Sequence, residues 1–365
     1  MTQNDRPQAL ANVQAIEPYK PGKSSVPGVA NPVKLASNEN PFGPSPKALA
    51  AYREAAARLE LYPDGSAPAL RAAIGARYGL DPARIICGAG SDEIFLMLGR
   101  AYLGPGDEMI QSEHAFSIYA IIAAQSGGVV KTAKNKDYAA QVDTMLGLVS
   151  PRTKLVFLDN PNNPTGTYLP YDEVRRLHAG LPAHVLLVID AAYAEFVRRN
   201  DYSPGIELVS ENQNVIMTRT FSKIYGLAAA RIGWAYGPPG VIEALNKVRM
   251  PFNVSTPAQA AAIAAIGDVD FAERSADHNA RELARVTGAL RALGLDVTES
   301  VGNFVLVHFP RKPGKGAAAA DDFLSRRGFI LRRVDGYGLP DALRLSIGKT
   351  EDNTGVIAAL KDFLA

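Results

Sequence analysis

The sequence predicts an α/β protein whose larger part is a mainly parallel sheet covered by helices on both faces, followed by a smaller α+β unit. Three observations carry this. From Pro46 onward helical patterns alternate with short apolar runs, and strands separated by helices pair in parallel and are buried on both faces. After Pro257 the order changes to a long charged helical pattern, then strand-like runs, then a closing helix. At 365 residues the chain also exceeds the size at which one hydrophobic core keeps growing. The expected division is an N-terminal arm over 1–45, a large domain over 46–257 and a small domain over 258–365.

In chain order, the arm comes first. Residues 17–28 (EPYKPGKSSVPG) and 31–46 (NPVKLASNENPFGPSP) are crowded with Pro, Gly, Ser and Asn, which disfavour helix and favour extended or turning chain. The pattern PKALAAYREAAARL at 46–59 opens the large domain as a helix. The apolar runs RIICG (84–88), DEMIQ (107–111), KLVFLDN (154–160), HVLLVIDAA (184–192) and NVIMTRTFS (214–222) are its strands. They are too short for helices and flanked by turn residues. In the tail, FAERSADHNARELARVTGALRALG (271–294) reads as one helix. VGNFVLVHF (301–309), GFILRRV (328–334) and ALRLSIG (342–348) read as strands, and GKGAAAADD (314–322) as a loop entering a helix.

Composition narrows the function classes. Hydrophobic residues make up 47% and charged residues 21%, an ordinary globular balance. A net charge of +2 gives no field that would draw the chain to nucleic acid or to an anionic membrane, so an anionic partner is expected to be small. The single cysteine, Cys87, follows apolar neighbours and reads as a core residue. The opening MTQNDRPQAL lacks the apolar centre of a signal peptide, and no run approaches the roughly 18 apolar residues of a membrane span. The expected address is cytoplasmic.

In open α/β sheets ligands bind beyond the carboxyl ends of the strands, so polar residues that close an apolar run carry the chemistry. Lys223, in TFSKIYG (220–226), sits where a lysine amine can be held partly desolvated; the neutral amine favoured there is the nucleophile that attacks an aldehyde. Alone, a lysine reads first as a solvated surface charge, and its context is what changes that reading. Asp190 closes five apolar residues and, buried, needs a partner. A protonated pyridine nitrogen would satisfy it and become an electron sink. A magnesium-binding strand ends the same way but needs a GxxxxGK[ST] loop, which the sequence lacks, so no metal is expected. Tyr193, three residues on, and Asn163, in the turn PNNPTG (161–166), could bond a cofactor ring oxygen. CGAGSDEI (87–94) offers a small-residue loop running into a helix, whose amino end attracts anions. Ala89, Gly90 and Ser91 are its candidate donors, with Ser222 and Arg231 completing a phosphate site. Glu93 stands where the dinucleotide fingerprint requires a third glycine. Phe116, in HAFSIY (114–119), is either a stacking platform or a core aromatic. In ALRLSIG the leucines and Ile347 share one strand face and Arg344 and Ser346 the other; Arg344 is an anion clamp or an ordinary surface charge.

PNNPTG, DAAY (190–193), SK (222–223) and Arg231 resemble, in order and spacing, the fold-type I pyridoxal-phosphate-dependent aminotransferases of class II. EPYKPGK, KLASNENPFG (34–43), LYPDG (61–65), RMPFNV (249–254) and GYGLPDALR (336–344) are similar to the histidinol-phosphate aminotransferase group within them, over nearly the whole chain. The resemblance implies a seven-stranded sheet in the large domain and pyridoxal 5'-phosphate as cofactor. It implies Lys223 as Schiff base and proton shuttle, Asp190 on the pyridine nitrogen, and Asn163 with Tyr193 at the ring oxygen. Ala89, Gly90, Ser91, Ser222 and Arg231 would hold the phosphate, with Phe116 on the ring. Tyr62 would reach the site of a second copy in a homodimer. Tyr19, Asn38, Arg332 and Arg344 would bind substrate. The implied reaction is transamination between L-histidinol phosphate and 2-oxoglutarate, in histidine biosynthesis. An aromatic amino-acid aminotransferase and a decarboxylase of a phosphorylated amino acid are the alternatives on the same scaffold. A cofactor-sensing transcription regulator is the non-enzyme alternative, disfavoured because the motifs begin by Tyr19 and no basic stripe accompanies them.

Overall fold

The computed structural model describes residues 6–365. The start of the arm, residues 1–5, lies outside the described residues, and so does the first half of the MTQNDRPQAL stretch. Among the described residues thirteen strands form three sheets. Strand β1 (Val33–Lys34) belongs to the arm. Strands β2 (Ile85–Gly88), β3 (Glu108–Ser112), β4 (Val129–Ala133), β5 (Thr153–Asp159), β6 (Leu186–Asp190), β7 (Val215–Thr220) and β8 (Gly233–Tyr236) make one sheet in the order β2-β8-β7-β6-β5-β3-β4. Only β8 runs against its neighbours; the other pairings are parallel. The fold is thus α/β with a mostly parallel seven-stranded sheet.

Pleating assigns alternate residues of each strand to opposite faces, and the core divides accordingly. Leu187, Ile189, Met217 and Trp234 join a cluster on one face; Phe157, Val188, Ile216 and Ala235 join a cluster on the other. This two-sided burial is why β6 is apolar at every position before its closing Asp190. A buried side chain of this size contributes about 1.5–3 kcal/mol, so the strands are anchored on both faces while their carboxyl ends stay open to ligands.

Five of the seven strands follow the apolar runs of the sequence; β4 and β8 do not. Strand β4 lies at the sheet edge, half exposed, and so lacks an uninterrupted apolar run. In β8 the buried GWAY is too short to stand out beside its polar and Gly-rich neighbours.

The tail forms a four-stranded sheet, β12-β13-β10-β9, from β9 (Asp296–Val297), β10 (Phe304–His308), β12 (Arg332–Arg333) and β13 (Ala342–Ser346). Its own core gathers Val305, Val307, Leu343, Leu345 and Leu360. The GFILRRV run divides in two, because β11 (Phe329–Ile330) leaves this sheet to pair in parallel with β1. The arm therefore docks on the tail: Leu35 bonds Ile330 and Ser346 through its backbone. That contact carries Ser37 and Asn38 between the two sheets. Cys87 is buried, which pushes its thiol up to about 12. No helix among the described residues is long and apolar enough to cross a membrane.

Candidate active site

The carboxyl ends of β5, β6 and β7, the start of the helix Ser91–Tyr102, the arm and β13 enclose a cavity of ≈ 250 Å³. Tyr19, Asn38, Ser91, Phe116, Asn163, Asp190, Tyr193, Ser222, Lys223, Arg231, Arg332 and Arg344 all line it. Residues nominated from nine separate stretches of chain thus converge on one space.

Lys223 follows β7, and its Nζ donates to the Ser37 carbonyl at 3.2 Å. It lies 5.8 Å from the Tyr193 ring centre. Burial, then the Arg344 guanidinium, draws its pKa down to about 8, so a large fraction of the amine is neutral near that pH. Asp190 closes β6. Its carboxylate accepts from Tyr119 Oη at 2.6 Å, Thr218 Oγ1 at 3.3 Å and the Ala192 backbone at 3.2 Å. Burial pushes it up to about 6. Among the described residues it has no ion-pair partner, so a buried carboxylate lines the cavity with no counter-charge from the chain. A protonated ring nitrogen meets that need.

Asn163 turns its amide oxygen to Arg344 Nη1, which leaves its NH₂ as the donor available to a ligand. Tyr193 Oη accepts from Asn38 Nδ2 at 2.9 Å and keeps its own proton to donate; burial raises its pKa. Asn38 therefore reaches the cavity chiefly by aiming Tyr193. Its left-handed backbone, φ 57°, is tolerated by Asn and locked by Ser346 Oγ at 2.9 Å.

An anion cradle stands at the other end. Among the described residues no side chain caps the helix Ser91–Tyr102, which leaves its first N–H groups for a ligand. A Cβ on Gly233 would come within 2.5 Å of Ser91 N, and one on Gly90 within 2.5 Å of Arg231 Nη2. Both glycines are what let strand, helix end and guanidinium close on one point. Arg231 also bonds Ser222 Oγ at 3.4 Å and Asp92 Oδ2 at 3.0 Å. Ala89, in contrast, gives its N–H to Glu93 Oε2 at 2.6 Å, and Gly90 gives its own to Gly88 O at 2.8 Å. Neither borders the cavity; Ser91 and Asp92 do, because the helix begins there.

Arg344 is buried, with Nη2 on Ala36 O at 2.7 Å and, among the described residues, no partner for Nε. It has no carboxylate partner among the described residues, and so offers an unneutralised charge to an anion. Arg332 lies 6.0 Å over the Tyr19 ring and donates to Lys20 O at 2.6 Å. Tyr19 meets Phe116 edge-on at 6.3 Å. Tyr62 is elsewhere: 82% exposed, stacked on Phe252 at 4.7 Å.

Sequence reasoning missed Asp159 and Tyr119. Asp159 lies in register beside Asp190 and borders the cavity. Its Oδ2 accepts from Phe116 N at 3.3 Å, Asn162 Nδ2 at 3.0 Å and Asn163 N at 3.1 Å. Burial, with Asp190 adding to it, pushes it up to about 7. The signal was present, since Asp159 closes KLVFLD as Asp190 closes HVLLVID. For Tyr119 no sequence pattern distinguishes the residue from a core aromatic.

Orphan donors at a helix end, an uncompensated carboxylate and a softened lysine fit pyridoxal 5'-phosphate. The chain matches the family model described as aminotransferase class I and II over residues 30–360. It is 55% identical to the histidinol-phosphate aminotransferase of Rhodopseudomonas palustris (strain HaA2) over 361 residues, 99% of each chain. To that of Nitrobacter hamburgensis it is 54% identical at the same coverage. Among solved structures it is similar to the histidinol-phosphate aminotransferase of Sinorhizobium meliloti in complex with pyridoxal-5'-phosphate. The TM-score is 0.89 and the identity 30%, covering 98% of this chain and 97% of that one.

Proposed function

The chain belongs to the class I and II aminotransferase family, and from this we propose that it exchanges an amino group between L-histidinol phosphate and 2-oxoglutarate, with pyridoxal 5'-phosphate at Lys223. Bound, the cofactor supplies an aldehyde for imine exchange and a protonated ring that accepts the electron pair of a cleaved C–H bond. Asp190 keeps the ring nitrogen protonated. Asn163 and Tyr193 donate to the ring oxygen, Phe116 covers the ring, and Ser91, Ser222 and Arg231 hold the phosphate. Lys223 Nζ acts as base and then acid, carrying the proton that leaves the amino-bearing carbon.

The observation that carries the substrate reading is the buried, unpaired Arg344 with Arg332 at the same end of the cavity. Two guanidiniums suit a phosphate on one substrate and carboxylates on the other. The test is a pair of half-reactions without acceptor, following loss of the bound cofactor's visible absorbance with L-histidinol phosphate and with L-phenylalanine. Faster conversion by the phosphate is expected; comparable rates at equal concentration would overturn the substrate reading in favour of an aromatic amino donor.

A homodimer completes this reading. Tyr62, Leu59, Leu61, Met250 and Phe252 are exposed, an apolar surface suited to a second copy, and Tyr62 would reach the copy's cavity. A cytoplasmic address goes with a biosynthetic role of this kind.

A further inference from the structure

We propose that Tyr119 is a further positioning residue of this site: its hydroxyl fixes the Asp190 carboxylate while its ring backs Phe116, so one buried side chain sets two of the groups that meet the cofactor ring. The inference rests on the cofactor reading above.

Tyr119 lies in the first turn of the helix Ile118–Gln125 and is 0% exposed. Its ring stacks on Phe157 of β5 at 4.4 Å and 21°. It stands edge-on to Phe95, on the helix that presents the anion cradle, at 5.2 Å, and edge-on to Phe116 at 5.8 Å. Three walls therefore fix the ring, and Phe116 meets an edge that is itself held. Ring geometry of this kind orients side chains as well as burying them.

The hydroxyl leaves this apolar packing in one direction and donates to Asp190 Oδ2 at 2.6 Å, a short bond to a charged acceptor. Among the described residues no other side-chain donor serves Oδ2; Thr218 and the Ala192 backbone serve Oδ1. The groups near Asp190 include Tyr119 from its helix, Asp159 from β5, Thr218 from β7, Asp92 and Tyr193 from the cavity lining, and Tyr202. Two of these are like charges. Burial drives the Asp190 carboxyl up, and the Tyr119 hydroxyl is foremost among the contacts that pull it back. Without that hydroxyl the buried carboxylate has one fewer donor and is held through Oδ1 alone, which weakens its hold on a protonated ring nitrogen.

Tyr119→Phe keeps the ring and its three walls, so folding, checked by circular dichroism and thermal melting, should be preserved. The experiment strips the cofactor and titrates pyridoxal 5'-phosphate back, reading quenching of the single tryptophan, Trp234. It uses the wild type, Y119F, D190N and the double variant. In the wild-type background Y119F should weaken binding about tenfold. In the D190N background it should change binding less than about twofold, because the group it acts through is no longer a carboxylate. In turnover Y119F should lower kcat with KM little changed. Wild-type binding by Y119F, or the same loss in both backgrounds, would overturn the role. Absence of saturable binding by the wild type would instead remove the cofactor reading on which it rests.

Discussion

A lysine whose pKa is drawn to about 8 and a carboxyl pushed to about 7 make opposite demands on pH, and each gives a measurement. For Lys223 the lowered value means that the neutral amine is half populated near pH 8 instead of near pH 10.4. The rate at which cofactor-free protein captures pyridoxal 5'-phosphate should rise with pH below about 8 and level off above it. Stopped-flow absorbance checks this; a rate still climbing between pH 9 and 10 would show an unperturbed lysine. For Asp159 the folded value lies above the unfolded one of about 3.9. The native state therefore holds the extra proton between roughly pH 4 and 7, and stability rises as pH falls through that window. Asp159→Asn keeps an acceptor for its three donors and removes the charge. It should stabilise the cofactor-free protein at pH 8 by about 1–3 kcal/mol, a gain that fades as the pH is lowered toward 4. Thermal melts across that range decide it. Residue types and their place after apolar runs made Lys223 and Asp190 legible. Asp159 gives the same signal, but KLVFLD runs straight into Asn160 and the PNNPTG turn, so its closing carboxylate merges with the polar residues of that turn.

At the scale of elements, the anion cradle depends on a strand lying unusually close to a helix end. Gly233 opens β8, and any Cβ there meets Ser91 N at 2.5 Å and Gly90 C at 2.8 Å, both backbone atoms that cannot swing away. Gly233→Ala should displace the start of the helix Ser91–Tyr102 and weaken binding of pyridoxal 5'-phosphate about tenfold or more. Far-UV circular dichroism should stay near wild type, and equilibrium titration of the cofactor checks the loss; unchanged affinity would mean that the helix end does not bind the phosphate. Sequence placed this helix and its small-residue loop but could not tell which N–H groups stay free. Glu93, read only as the residue that spoils a fingerprint, takes the N–H of Ala89 and so shifts the free donors toward Ser91 and Asp92. Strand β4 illustrates a second limit: an edge strand has only half its surface buried, so its pattern carries less signal than that of β6.

For the whole molecule, the exposed Tyr62 is the informative residue. It is remote from the cavity of its own chain and stacked on Phe252, whose backbone sits at φ 57°, an uncommon value for an aromatic residue. If Tyr62 completes the site of a second copy, Tyr62→Ala and Lys223→Ala should complement each other. In a mixed dimer one site carries both defects and the other carries neither. Co-refolding the two weak variants in equal amounts should restore about a quarter of wild-type activity, since half the dimers are mixed and each has one intact site. Activity no higher than the average of the two parents would argue against a shared site, and sedimentation of each variant confirms assembly independently.

The alternating pattern of apolar runs and helices determined the α/β class, because burial on both faces demands apolar residues at every strand position. It also determined the lysine, the acid and the turn, because each directly follows such a run. Tertiary structure decided what those groups do to one another. Only the docking of β1 on β11 brings Ser37 to Lys223 and Asn38 to Tyr193, and only the register of β5 with β6 sets Asp159 beside Asp190. Only the meeting of two sheets leaves Arg344 buried without a counter-charge. These are distances between residues far apart in sequence, and the shifts in charge that follow depend on burial and distance, which a linear pattern does not contain.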